Sequence, residues 1–177
     1  MSLLYLISSL PMLRFDAAPG MTPDTFVEAC REQLGEADAA AAEALLRGET
    51  SGHAFVAAWK DKETILRNAA ARERARRAGA EASRWERPAQ GCDSLIESLV
   101  EDAFQEADPL ACEKALDKVR WKIAEELQGP DPLDIRAVFA YAVKLAILSR
   151  WTSLSASRGQ QTFDRLTQVP IVLNPEP

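Results

Sequence analysis

Three times this sequence sets a threonine or an aspartate, both helix-capping residues, directly before proline: Thr22-Pro23, Asp108-Pro109 and Asp131-Pro132. The side-chain oxygen of such a residue accepts an orphan N–H of the first turn. Proline suits the next position, because its missing N–H costs nothing there. Gly35, Gly48 and Gly129 stand where the following runs should end. Strand signals are nearly absent: β-branched clusters occur only near the termini, and no Asn-Gly or Asp-Gly turn is present. The short connections at the Asp-Pro boundaries imply antiparallel neighbours. The fold expected is all-α, an antiparallel helical bundle with one long protruding helix.

The spacing fills in the helices. Phe26, Val27, Cys30 and Leu34 recur helically after Thr22, and an alanine-rich helix follows over about Glu36–Arg47. A long helix is predicted from about Ser51 to Trp85, stopped by Pro88 and weakened locally by Gly79. Its stripe is Phe55, Val56, Trp59, Ile65, Leu66, Ala69 and Ala70. From Arg72 to Gly79 its apolar residues are only small ones, the pattern of a helix run past its core. Ser94 and Glu97 read as a capping box for a helix carrying Leu95, Ile96, Leu99, Val100 and Phe104. The next helix runs from Pro109 to about Leu127. The last opens at Pro132, with Asp134 closing a capping box, and runs to about Ser157. Apolar nearly all round, it belongs at the centre. Leu3–Leu10 is short enough to be strand or helix. Gly159 precedes a short turn over Gln160–Leu166. Residues 1–170 read as a single helical domain and 171–177, after Pro170, as a loose C-terminal tail.

With 177 residues, 47% of them hydrophobic, the chain can bury a core without disulfides or metal. Cys30, Cys92 and Cys112 are far apart and form no CxxC, so they read as reduced cytosolic thiols. The apolar N-terminal run lacks a basic flank and stops at Pro11, which argues against a secretory signal. The run from Ile135 to Leu148 is too short for a bilayer of about 30 Å and carries Arg136 and Lys144. The chain is expected in the cytoplasm, without membrane insertion.

Catalytic chemistry finds little purchase. His53, the single histidine, stands beside Gly52 at a helix start and reads as a surface or capping residue. The glycines form neither GxGxxG nor GxxxxGK. The acids Glu97, Glu101, Asp102, Glu106, Asp108, Glu113, Asp117, Glu125 and Glu126 lack the Glu-x-x-His pairs of a di-iron bundle and read as a solvated helix face. No catalytic residue, cofactor, metal or small-molecule substrate is expected.

Charge is distributed unevenly. Lys60–Arg87 holds nine basic residues against five acids, so with −6 overall the rest of the chain carries −10. A solvated helix with internal pairs such as Glu63–Arg67 would explain this; so would docking on an acidic protein surface, or, less well with an acidic chain, RNA. Arg67, Arg72, Arg74, Arg77, Arg84 and Trp85 are the candidate partner-binding residues, since Trp and Arg dominate interface hot spots. Trp59, Trp121, Tyr141, Leu145 and Trp151 are assigned to the structural core.

One resemblance adds to this reading. Tyr5-Leu6-Ile7-Ser8-Ser9-Leu10-Pro11, then Trp59, Leu66-Arg67-Asn68 and Arg72, resemble a small bacterial family encoded among V/A-type ATP synthase (V-type ATPase) subunits. So do Asp108-Pro109-Leu110, Glu113, Leu116-Asp117, Arg120-Trp121, Ala140-Tyr141, Lys144-Leu145, Ile147-Leu148, Arg150-Trp151 and Gly159. The likeness spans about Leu3–Leu166, in single residues and not a compact signature. The family is similar to the funnel-like, all-helical connector of rotary V/A-type ATPases, which couples the rotating shaft to the membrane proteolipid ring, although this chain is about half as long. The resemblance implies a non-catalytic stalk or connector subunit whose partners are other V/A-type ATPase subunits, with no nucleic acid. It would lie in the cytoplasm or peripherally on the inner membrane's cytoplasmic face. An assembly factor or regulatory adaptor for that complex is the alternative, and an RNA-binding helical protein a weaker one.

Overall fold

The computed structural model describes residues 3–154 and 164–165. The expected turn at 160–166 and the C-terminal tail therefore lie essentially outside the described residues. Seven α-helices account for the regular structure described: α1 (Leu3–Ser9), α2 (Pro23–Gln33), α3 (Glu36–Arg47), α4 (Ala54–Ala78), α5 (Ser94–Ala103), α6 (Pro109–Gln128) and α7 (Ile135–Ser153). A 3-10 turn, Ala82–Arg84, follows α4, and no strand occurs among the described residues. None of these helices is long and apolar enough to cross a membrane.

The capping chemistry acts largely where the sequence puts it. Thr22 accepts the N–H of Thr25 (3.2 Å), and Asp108 accepts that of Ala111 (3.0 Å). Gly48 ends α3 in the left-handed region (φ 70°), and the run at 3–10 is a helix. Five boundaries differ from expectation, most of them because a nearer group competes. Asp93, not Ser94, caps α5, its carboxylate accepting from Leu95 and Ile96 (both 3.1 Å). Asp131 caps only a turn, accepting from Leu133 (2.9 Å), and Asp134 is itself the cap of α7, accepting from Arg136 (2.8 Å). The extended backbone of Leu154 closes α7 ahead of Ser157. Helix α4 begins later than Ser51, capped by His53, whose Nδ1 accepts from Phe55 (3.1 Å). It ends before Trp85, because Gly79 turns left-handed (φ 64°) and its N–H donates the closing bonds to the carbonyls of Ala75 and Arg76.

Helix α7 is the axis of the bundle. Val138, Phe139, Ala140, Ala142, Val143, Leu145, Ile147 and Leu148 are all buried, against α3 on one side and α6 on the other. The face of α3 is built from Ala39, Ala41, Ala42 and Ala44, small side chains that allow two helices to approach closely. Phe55 tilts against Phe139 (5.2 Å between rings), and His53 meets the same ring edge-on (4.7 Å).

Side-chain contacts fix the helix directions. Along α6 and α7, Lys114 meets Trp151, Asp117 meets Arg150, and Glu125 meets Lys144, an antiparallel order. Along α4 and α6, Lys62 pairs with Glu126 and Arg74 with Glu113, also antiparallel. Helix α5 runs parallel to α4 instead: Lys62 pairs with Asp93, and Arg72 with Glu97. The chain between them makes this possible by travelling back along α4. The side chain of Asn68 donates to Arg87 O (2.7 Å) and accepts from Arg87 N–H (2.9 Å), pairing with the loop as a neighbouring strand would. As a result α4 passes its last buried residue, Ala75, by less than one turn.

Candidate functional site

Where α4, α6 and α7 converge, two acids are enclosed. The side chain of Asp117 is 1% exposed and that of Glu63 9%. Spacing on each helix supplies half of every partner set. Glu63 and Arg67 stand four apart on α4, and Asp117 and Arg120 three apart on α6, so each pair shares one face. Tertiary packing supplies the rest. Arg120 places its Nε 3.1 Å from Glu63 Oε2 and its Nη1 2.9 Å from Asp117 Oδ1, bridging α6 to α4. From the end of α7, Arg150 Nη2 and Trp151 Nε1 (2.7 Å) both donate to Asp117 Oδ2. Arg67 Nε completes the set on Glu63 at 2.7 Å.

Burial alone would lower the pKa of Arg120. The adjoining carboxylates of Glu63 and Asp117 outweigh that effect and hold the guanidinium charged, above its usual value. An enclosed acid satisfied by three donors is stable only while all remain. Removing one member of such a buried set costs about 3–5 kcal/mol.

Above these acids opens a groove of about 290 Å³ between α4 and α7. Arg47, Lys60, Arg67 and Arg150 stand around it, and Leu46 and Ala146 contribute apolar wall. Lys60 gives its ammonium to Gly48 O (2.5 Å), and Arg47 pairs with Glu43 (2.8 Å). A larger cleft of about 400 Å³ lies elsewhere, where Ile7, Leu10, Met12 and Leu13 face Tyr141 and Lys144.

Of the sequence-predicted partner-binding residues, only Arg67 borders the groove. Arg72 bridges Glu86 (2.9 Å) and Glu97 (2.6 Å), and Arg74 pairs with Glu113 (2.9 Å). Arg74 and Arg77 both lie over the ring of Phe104, and Arg84 over Trp85, which is 54% exposed. Among the predicted core residues, Trp59 and Leu145 are buried, while Trp121, Tyr141 and Trp151 are partly buried. Tyr141 stacks on Phe26 (5.3 Å), and burial pushes its hydroxyl up to about 12. Trp121 donates to Glu125 (2.9 Å) and meets Phe15 edge-on.

Asp117 is a correction: it belongs to no solvated face, because α7 closes over it. Arg120 and Arg150 join it as site residues that spacing alone does not single out, and Glu63, legible in the sequence only as the i,i+4 partner of Arg67, is enclosed with it. Arg120-Trp121 and Arg150-Trp151 stand out in the sequence as basic–indole pairs, but nothing local says that both arginines reach one carboxylate. His53 is the capping residue its position suggests. Cys30 and Cys112 are buried and Cys92 is exposed, all three as free thiols, with burial pushing Cys30 up to about 12.

Comparison with known proteins adds one match. A family described as a protein of unknown function (DUF2764) matches residues 93–169, a stretch that holds Asp117, Arg120, Arg150 and Trp151 but not Glu63 or Arg67. No curated protein matches the chain. No solved structure matches it either.

Proposed function

We propose that this protein is a non-catalytic helical connector, a stalk subunit of a V/A-type ATP synthase that joins soluble and membrane sectors through protein–protein contacts. The observation that carries the reading is the enclosed network of Glu63, Arg120, Asp117, Arg150 and Trp151. It ties three helices together by geometry-specific bonds, where apolar packing alone would let them slide. A part that transmits force needs such a stiff body and cationic or aromatic contact faces. The resemblance in Arg67, Asp117, Arg120, Arg150 and Trp151 supports the choice of machine, since those same residues meet at the network. In this reading the protein is cytoplasmic and reaches the membrane only through its complex.

Affinity purification from native cells tests this directly. Recovery of other ATPase subunits in fixed stoichiometry with the intact complex supports a permanent subunit. Recovery with partly built complexes alone points to an assembly factor. A monomer that never accompanies any ATPase subunit rules the reading out.

A further inference from the structure

The groove between α4 and α7 holds more positive charge than its own acids neutralise. Among the described residues, three arginines (Arg67, Arg120, Arg150) share the two enclosed carboxylates. Lys60 has a carbonyl partner and no carboxylate within 4.0 Å among the described residues. Arg67 is 57% exposed and Arg150 48%, and each spends a single nitrogen on the floor. Their remaining N–H groups are open to an incoming acceptor. A guanidinium already fixed on one side is preorganised for a second carboxylate on the other.

We propose that this groove receives an acidic segment of a partner protein, with carboxylates seated on Lys60 at one end and on Arg67 and Arg150 at the other. The inference rests on the connector reading in taking the occupant to be protein. Lys60 and Arg67 are seven residues apart, about 10 Å of helical rise, so the fitting segment repeats its carboxylates two helical turns apart. A groove of about 290 Å³ with Leu46 and Ala146 in its wall takes a few side chains and their aliphatic stems, not a duplex. The rest of the chain is strongly acidic and repels an extended polyanion, while a short acidic segment meets only the local surplus.

The probe is a fluorescein-labelled alanine-based helical peptide with two glutamates seven residues apart, titrated at low salt by anisotropy. Two double variants remove equal charge: Lys60→Gln with Arg67→Gln at the groove, and Arg72→Gln with Arg74→Gln on the far half of α4. Thermal melts of both are run beside the titration, because Arg67 also holds Glu63 and its loss costs stability. Lys60→Gln alone, which gives up only a bond to the Gly48 carbonyl, repeats the test with the enclosed acids intact and should still weaken binding. The expected result is about tenfold weaker binding for the groove pair and under about twofold for the far pair. Equal weakening by both pairs overturns the proposal, since it would report diffuse attraction. So does the absence of peptide binding to the unaltered protein, or a heparin fragment that binds with the same groove dependence. The purification above separates the two readings. If the groove variant still recovers ATPase subunits as the unaltered protein does, the groove falls and the connector stands. If the unaltered protein recovers none, the connector falls and the peptide titration alone decides the groove.

Discussion

The two halves of α4 carry the same kind of sequence and do different work. From Lys60 to Arg67 the helix carries the enclosed Glu63, held by Arg67 of the same helix and by Arg120 of α6. In the far half, Arg72 and Arg74 reach exposed glutamates of α5, α6 and the return loop: Glu86, Glu97 and Glu113. The far half holds more arginines but binds them in ordinary surface pairs, each worth about 0–1 kcal/mol and screened by salt. The near half holds fewer, yet two of its charges are coupled to a carboxylate set that loses several kcal/mol if broken. A count of charges therefore misidentifies the consequential stretch; burial of the partner decides it.

The contrast can be broken most sharply at Asp117. Asp117→Ala leaves Arg120, Arg150 and the Trp151 N–H without their acceptor and should cost about 3–5 kcal/mol. That corresponds to a Tm fall of about 10 °C, measured by calorimetry. A loss below about 1 kcal/mol, typical of exposed pairs, would erase the distinction between the halves.

Asn68 lies between them and should give the next largest effect. Asn68→Ala removes both hydrogen bonds to Arg87 and should cost about 2 kcal/mol, with faster hydrogen exchange in the loop before α5. Unchanged exchange there would show that the ion pairs alone hold the return loop.

The Lys62–Asp93 pair gives a pH signature. The hydrogen bond from Lys62, and then that from the Ile96 N–H, hold Asp93 below its usual 3.8, while the same Lys62 bond raises Lys62 above 10.5. Asp93 contributes fully above 3.8, and its contribution fades as pH falls through its lowered folded value. Lys62 contributes fully below 10.5 and fades as pH climbs beyond it. Lys62→Met should cost about 1 kcal/mol near neutrality, a gap from wild type that closes at both extremes in urea unfolding across pH. A gap independent of pH would assign the loss to packing. Smallest of all, Arg72→Gln with Arg74→Gln should cost under about 1 kcal/mol and become indistinguishable from wild type at high salt. A larger, salt-insensitive loss would place the far half in the same class as the near one.

Much of the helical layout is legible from end to end in local chemistry. Thr22, Asp108 and Gly48 cap where they do because capping depends on atoms within a few residues. The boundaries at Asp93, Asp134 and Gly79 are harder to read for a related reason: two capable residues lie close together, and only backbone geometry selects one. The parallel course of α5 is not legible, because it depends on Asn68 finding Arg87 across a loop. Within the site, Glu63–Arg67 is readable as an i,i+4 pair. Asp117 looks like any exposed acid of α6 until α7 covers it.

The sequence by itself determined most of the helices, the caps at Thr22, Asp108 and Gly48, and the apolar surface of α7, because each follows from spacing along the chain. Which charges are buried, and therefore which matter, was decided only by tertiary structure. An ion's energy depends on the water it loses and the partners it gains, and both come from segments far away in the chain.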